Sequence, residues 1–502
     1  MQFARRVPYR EFAQQVRRFH RDALLDRIAQ ASAAIQAKRV QTGRRRDDRS
    51  PIQQFTLAAI ARTALAESMT YRDERPVTDK QLWSLCSLAI KVDQPDIAER
   101  GVTDNPVMRR LLARISYQQY LHGYAELEDI VRTLALFVEH DPAVTGMPTA
   151  AEWEAVLGVP LPNYLALAFA VFVRTGVTGG CFTADDFVEH AALGALGGVG
   201  AATARAVLDA HLAEDVTALA ARATAGETKL KTIDHRLWLS NPLLARPLIR
   251  KGDGYLAPIN PYVIDKVTPL GMYFTGLEHF GGDFPELVGR SFEKLVGRHL
   301  QLLEPVGAQI FPEIRYSHEG KLTCDYIVVL PGLVLLVEAK GLRSIEDARL
   351  GHENGLRKLA ERVQHARNQI ATTASLIRDR ISELAHIPAD YPVRGLVVTL
   401  EPIHLIDTVF FADLLEPTDV PTATTSAHDF EQVLATLLPL PDAAARILEA
   451  LTAKPPYHPP SFPRAVEGLP RERNPIATRL WDDWMAAVLP TNARTPERRS
   501  AR

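Results

Sequence analysis

The sequence predicts a large all-α domain followed by an α/β domain with a mixed central sheet flanked by helices. Two observations predict it. From Ser50 to about Ala225, apolar residues recur at three-to-four spacing with few strand signals. After about residue 284, short β-rich runs alternate with helical ones. The chain has 502 residues, of which 46 % are hydrophobic and 24 % charged, so it can bury several cores without disulfide or metal staples.

Residues 1–49 hold 13 Lys/Arg and 5 Asp/Glu, a local charge of +8 in a chain of net −2. They read as a basic helical arm and linker ending in Gly43-Arg44-Arg45-Arg46. Residues 50–225 read as the all-α domain, with helices expected at 52–68, 78–91, 107–118, 125–139, 149–156 and 163–174. Ser50-Pro51 has the pattern of a cap and first turn. Residues 226–283 carry the turn signals Asn241-Pro242, Gly252-Asp253-Gly254 and Asn260-Pro261, and read as a connector. Residues 284–440 form the α/β domain: a helix at 285–303, strands at 308–316, 322–330 and 333–340, a helix at 353–380, and strands at 393–400 and 406–411. Ser426 caps a further helix. Residues 441–502 supply a Pro-rich linker, a short helix at 476–488 and a basic tail.

Several chemistries are excluded. Cys86, Cys181 and Cys324 have no paired spacing, which argues against a disulfide framework or zinc site and suits a reducing cytoplasm. The longest apolar run, Tyr164–Val173, is half a membrane span and reads as a buried helix, so no membrane partner is expected. No phosphate-binding G-x-x-x-x-G-K-[ST] loop, G-x-S-x-G elbow or H-E-x-x-H pair is present.

The chemistry concentrates in Thr323–Lys340. Two apolar β runs flank Pro331-Gly332, a hairpin signal. A turn centred there pairs Leu330 with Leu333, so partners sum to 663. Asp325 and Glu338 share that sum and are expected side by side on one face, with Cβ atoms about 5 Å apart. Lys340, two residues on, shares the face. Two adjacent carboxylates in an apolar strand repel each other and resist ionisation. A divalent cation removes both penalties, and carboxylate oxygens suit Mg²⁺ or Mn²⁺.

The order helix, β, β with Asp, β with Glu-x-Lys, helix, β resembles the restriction-endonuclease-like PD-(D/E)XK superfamily over about 284–410. The resemblance implies metal-dependent hydrolysis of DNA, with RNA not excluded. It implies Asp325 and Glu338 as metal ligands and Lys340 as the residue that assists the attacking water or the transition state. It further implies a supporting Glu on the preceding helix, matched by Glu293, which would also bind metal. A Gln on the following helix is matched by Gln369 in preference to Gln364. Asp325 follows Cys324 where the family name has Pro. The basic residues Arg290, Lys294, Arg343, Lys358, Arg362 and Arg367 suit a polyanionic substrate.

A second resemblance lies in the helical part. Leu196-Gly197-Gly198-Val199-Gly200-Ala201-Ala202-Thr203-Ala204 is similar to the helix-hairpin-helix motif. In that motif Gly198 and Gly200 would let the backbone approach a nucleic-acid phosphate. A Gly-rich turn between packed helices is the plainer reading. Together these readings describe a Mg²⁺-dependent endodeoxyribonuclease, with a bacterial anti-phage defence or mobile-element effector as the biological setting. The alternatives are an inert nuclease fold that binds nucleic acid or acts as a scaffold, and a helical module that recruits a protein partner. A homodimer is compatible with either.

Overall fold

The computed structural model describes residues 7–42, 50–71, 74–92, 105–121, 127–186, 199–225, 236–237, 239–317, 320–341, 346–452 and 459–488. A helical part leads into an α/β part. The first helices are α1 (Tyr9–Val16), α2 (Arg21–Thr42), α3 (Gln54–Glu67), α4 (Asp79–Ala89), α5 (Asn105–Leu121), α6 (Leu127–Phe137), α7 (Ala150–Leu157) and α8 (Leu161–Val177). Their positions follow the apolar periodicity. Capping differs in detail: α3 starts after Gln53, whose side chain completes a capping box with Thr56, and Ser50 lies three residues upstream. Thr78 and Thr149 cap α4 and α7 with matching Gln81 and Glu152.

The basic N-terminal segment is not a free arm over its described length. Tyr9, Phe12, Val16, Leu24, Leu25 and Ile28 are buried in one core with α3 and α4. Among the described residues, Arg10, Arg17, Arg18 and Lys38 sit on exposed faces of helices whose inner faces are packed. The linker expected at Gly43–Arg46 lies outside the described residues.

The connector is more than a linker. A small sheet of order β1-β4-β3-β2 assembles from β1 (Cys181–Thr183), β2 (Ala213–Glu214), β3 (Leu248–Lys251) and β4 (Gly254–Leu256). These strands have two to four residues each, too short for a periodic signal, and their pairing is long-range. Between them lie α9 (Ala201–Val207) and α10 (Val216–Ala225). Then come α11 (Pro261–Asp265), α12 (Pro269–Phe280) and α13 (Phe284–Leu300).

The second sheet runs β5 (Gln309–Pro312), β6 (Tyr326–Leu330), β7 (Leu333–Lys340), β8 (Val393–Thr399) and β9 (Thr422–Ser426), in that spatial order. It is mixed: β5, β6 and β7 are antiparallel, and β7, β8 and β9 are parallel. The parallel crossovers carry α14 (Glu346–Arg349) and α15 (Glu353–Arg378), with α16 (Ala427–Leu437), α17 (Ala443–Ala450) and α18 (Pro475–Val488) following. The pleat divides the hairpin. Val328, Leu333, Leu335 and Val337 enter the core shared with α13 and α16. Ile327, Val334 and Leu336 enter the core under α15 with Ala366, Ile370 and Ala374. Ser426 caps α16, accepting from the Asp429 N–H.

A strand expected at 406–411 is instead a series of turns. Ile406 and Phe411 are buried and Leu405 takes a positive φ of 69°. The Asp407 carboxylate pins the segment, accepting from Arg367 and from the Thr424 N–H. The last sheet position goes to Thr422–Ser426, whose β-branched threonines satisfy the parallel ladder.

The helical and α/β parts share one core. Residues from Ile130 through Tyr164, Val263 and Phe292 to Trp484 are continuous in it. The Arg132 guanidinium lies buried against Glu431 of α16 at 2.7 Å and 2.9 Å. Arg109 of α5 is 1 % exposed and donates to Glu353, Asp413 and the Phe410 carbonyl. Trp484 of the expected C-terminal helix donates to the Pro162 carbonyl at 3.0 Å. The basic tail lies outside the described residues.

Candidate functional site

The β6–β7 ladder runs Tyr326↔Val337 to Leu330↔Leu333, every pair summing to 663. The next pair outward is Asp325 and Glu338. They interlock across the strand end: the Asp325 N–H donates to Glu338 Oε2 at 3.2 Å, and the Ala339 N–H donates to Asp325 Oδ2 at 2.7 Å. Glu338 is 0 % exposed and lies on the α15 face of the sheet.

A bulge sets Asp325 apart from the regular strand. On its other side β6 meets β5 at Pro312↔Tyr326, and pairing resumes at Arg315↔Leu322. Three residues, Thr323, Cys324 and Asp325, therefore oppose two, Glu313 and Ile314. The extra residue turns the backbone at Asp325, as bulges beside functional sites do. The bulge is anchored by Cys324, whose N–H donates to Thr373 Oγ1 of α15 at 2.8 Å. That hydroxyl donates to the Gln369 carbonyl at 3.0 Å.

Lys340 closes the arrangement. Its Nζ donates to Glu338 Oε1 at 2.5 Å and to Gln369 Oε1 at 3.0 Å. Gln369 is thus brought to the lysine. Gln364 points elsewhere, its amide donating to Asn368 and its oxygen accepting from the Glu416 N–H. Glu293 stands on α13 with Oε1 on Lys294 at 2.8 Å, and its carbonyl accepts from the Tyr326 hydroxyl at 3.1 Å. Gly297, one turn later, allows this close approach: a Cβ there would fall on the Tyr326 phenol.

The electrostatics follow. Burial first, then the charge of Glu338, push the Asp325 carboxyl up to about 8. Burial also raises Glu338, against the opposing pull of Lys340. Cys324 is pushed up by burial and is no nucleophile.

The donor set fits a hard divalent cation: two adjacent carboxylates disfavoured as bare anions, with Asp325 Oδ1 accepting no hydrogen bond among the described residues. Among the described residues no three His, Cys, Asp or Glu side chains converge on one point. A cation here would take Asp325 and Glu338 and complete its shell with water or phosphate oxygens. Glu293 is near enough for its charge to raise Asp325.

The other expected residues separate. Arg367 is engaged within the fold: its side chain is 13 % exposed and its guanidinium is held by Asp407 at 2.5 Å. Arg290 and Lys294 pair with Glu286 and Glu293. Lys358 and Arg362 are exposed and unpaired among the described residues. Arg343 and Gly198 lie outside the described residues. Gly200 precedes α9 with φ −65°, and a Cβ there would meet nothing, so its backbone has no local need for glycine. Thr373, Glu313 and His365 escaped sequence reasoning. Thr373 was legible only as a small residue one turn after Gln369.

No known protein family, curated protein or solved structure matches this chain. Among the described residues no single helix is long and apolar enough to cross a membrane.

Proposed function

We propose that the chain is a Mg²⁺- or Mn²⁺-dependent nuclease of the PD-(D/E)XK type that hydrolyses DNA phosphodiesters. The observation that carries this reading is the interlocked Asp325–Glu338 pair with Lys340 bonded to Glu338. Such a group costs stability in an apolar strand end and gains a purpose when a cation and a phosphate arrive. Asp325 and Glu338 hold the ion, which when bound supplies Lewis acidity toward the phosphoryl oxygen and a bound water of lowered pKa. The Lys340 ammonium would orient the attacking water and balance charge that develops on the phosphorane. Gln369 positions Lys340, and Thr373 ties the Asp325 bulge to the same helix. A cytoplasmic effector in bacterial defence or mobile-element biology is the setting that the PD-(D/E)XK resemblance favours.

The test is cleavage of supercoiled plasmid, single-stranded DNA and RNA with Mg²⁺, Mn²⁺ or EDTA, comparing the natural protein with Lys340→Ala. Metal-dependent cleavage reduced about 10²–10⁴-fold in the variant is expected. Equal cleavage by both proteins, or no cleavage and no calorimetric metal binding, refutes the reading. Metal binding without cleavage of any of the three substrates favours the inert-fold alternative.

A further inference from the structure

We infer that the site grips its nucleic acid on one flank, with the phosphates of the bound strand running along α15 over Lys358, Arg362 and His365. This rests on the nuclease reading and adds to it the direction in which the strand leaves the catalytic group.

The argument begins with helical spacing. Residues 358, 362, 365 and 369 fall at i, i+4, i+7 and i+11, one stripe on one helix. At its inner end Gln369 touches Lys340. Further out, Lys358, Glu361, Arg362 and His365 line a cavity of about 380 Å³ that has Lys340 on its wall. Lys358, Arg362 and His365 are exposed, and among the described residues none makes an ion pair or hydrogen bond. Glu361 is the acid on that wall.

The sorting of the other cations sharpens this. On the same helix Arg367 is held by Asp407, and on α13 Arg290 and Lys294 are held by Glu286 and Glu293. Unneutralised positive charge therefore remains beside Lys340 on the α15 side. On the opposite flank the carboxylates and cations offset one another. Glu293 stands on α13, and Glu313 leaves β5 next to the Asp325 bulge. Lys294 is held above its ordinary value by its bond to Glu293 and then by the charges of Glu293, Glu313 and Asp141. A phosphate chain is attracted on the α15 side of the Asp325–Glu338 pair and meets cations already offset by carboxylates on the α13 side.

The dimensions agree. Lys358 to His365 spans seven residues, about 10 Å at 1.5 Å per residue. That is room for about two phosphates, whose spacing along a strand exceeds the ~3.4 Å axial rise per nucleotide. Contacts of this type are salt-dependent and independent of base sequence.

The experiment uses the full chain and a fluorescent DNA oligonucleotide in Ca²⁺, which populates a divalent site, with cleavage measured separately in Mg²⁺. The probe variant is Lys358→Ala/Arg362→Ala/His365→Ala. All three residues are exposed, so folding is expected to be unaffected. Its Kd is expected to rise about 10–100-fold, and its log Kd–log salt slope to fall by about 1–2, the share of Lys358 and Arg362. Its KM should rise more than its kcat falls, since none of the three holds the reacting group and only the charge of His365 reaches Glu338. A control, Glu313→Lys, should bind at least as tightly as the natural protein. Unchanged Kd and slope in the triple variant, with natural cleavage intact, overturn the inference and leave the nuclease reading standing. Weakened binding in the triple variant of a protein that never cleaves would support the strand path and remove the nuclease reading. Absence of DNA binding by the natural protein removes both.

Discussion

Asp325→Asn should stabilise the metal-free protein while abolishing cleavage. In EDTA the natural side chain is half-buried beside a fully buried Glu338, and burial with that neighbouring charge holds it up to about 8. The unfolded chain titrates near 3.8. A carboxyl raised on folding binds more protons in the native state, so stability falls as pH climbs from about 4 to about 8 and is level outside that window. Each pH unit is worth at most about 1.4 kcal/mol, giving a ceiling of about 6 kcal/mol. Solvent at the rim and relaxation lower this to about 1–3 kcal/mol at pH 8. Asparagine keeps an oxygen for the Ala339 N–H and carries no charge to repel Glu338. At ~2 °C per kcal/mol for a body of this size, the variant should melt about 2–6 °C above the natural protein at pH 8 in EDTA, and nearly level with it at pH 4. Scanning calorimetry at several pH values measures this. A variant that melts lower at every pH, or a difference that does not grow with pH, would refute the claim that this carboxyl is destabilised by its neighbour and its burial. Excess Mg²⁺ should reverse the order at pH 8, because only the natural protein binds the ion well.

Further outcomes follow from single contacts. Gln369→Ala should reduce kcat about 10–100-fold, the usual effect of removing a group that orients a site residue, with Tm little changed; steady-state kinetics at saturating Mg²⁺ measures it. Gly297→Ala drives a methyl into the Tyr326 phenol, so it should cost about 1–3 kcal/mol and lower cleavage by moving α13 from β6; denaturant melts and rates at 20 °C test both. Arg132→Ala leaves Glu431 buried without its partner and should cost about 3–5 kcal/mol. Burial pushes Glu431 up and Arg132 outweighs it, leaving its carboxyl below the ordinary range. The pair's contribution is therefore present above about pH 4.5 and lost as pH falls through the lowered value, so the gap between Arg132→Ala and the natural protein should narrow in acid melts.

What the sequence determined by itself was local. Pro331-Gly332 between two apolar β runs sets a register, so Asp325 and Glu338 could be placed opposite each other by arithmetic, and the ladder has that register. The helices at 78–91, 149–156 and 163–174, and the Ser426 cap, rest on spacing and capping chemistry within a few residues, and those signals survive packing. Tertiary structure decided whatever depended on partners far along the chain. Which glutamine meets Lys340 depends on how α15 is rotated over the sheet. The strand expected at 406–411 yielded to turns because Asp407 finds Arg367 and Thr424, and a Thr-rich segment took the sheet position. Arg367 and Arg362 look alike in sequence, yet one is neutralised and the other faces solvent. The basic N-terminal segment became packed helix, and the connector became a sheet, because burying apolar faces against distant segments outweighs the local charge and turn signals that suggested an arm and a linker.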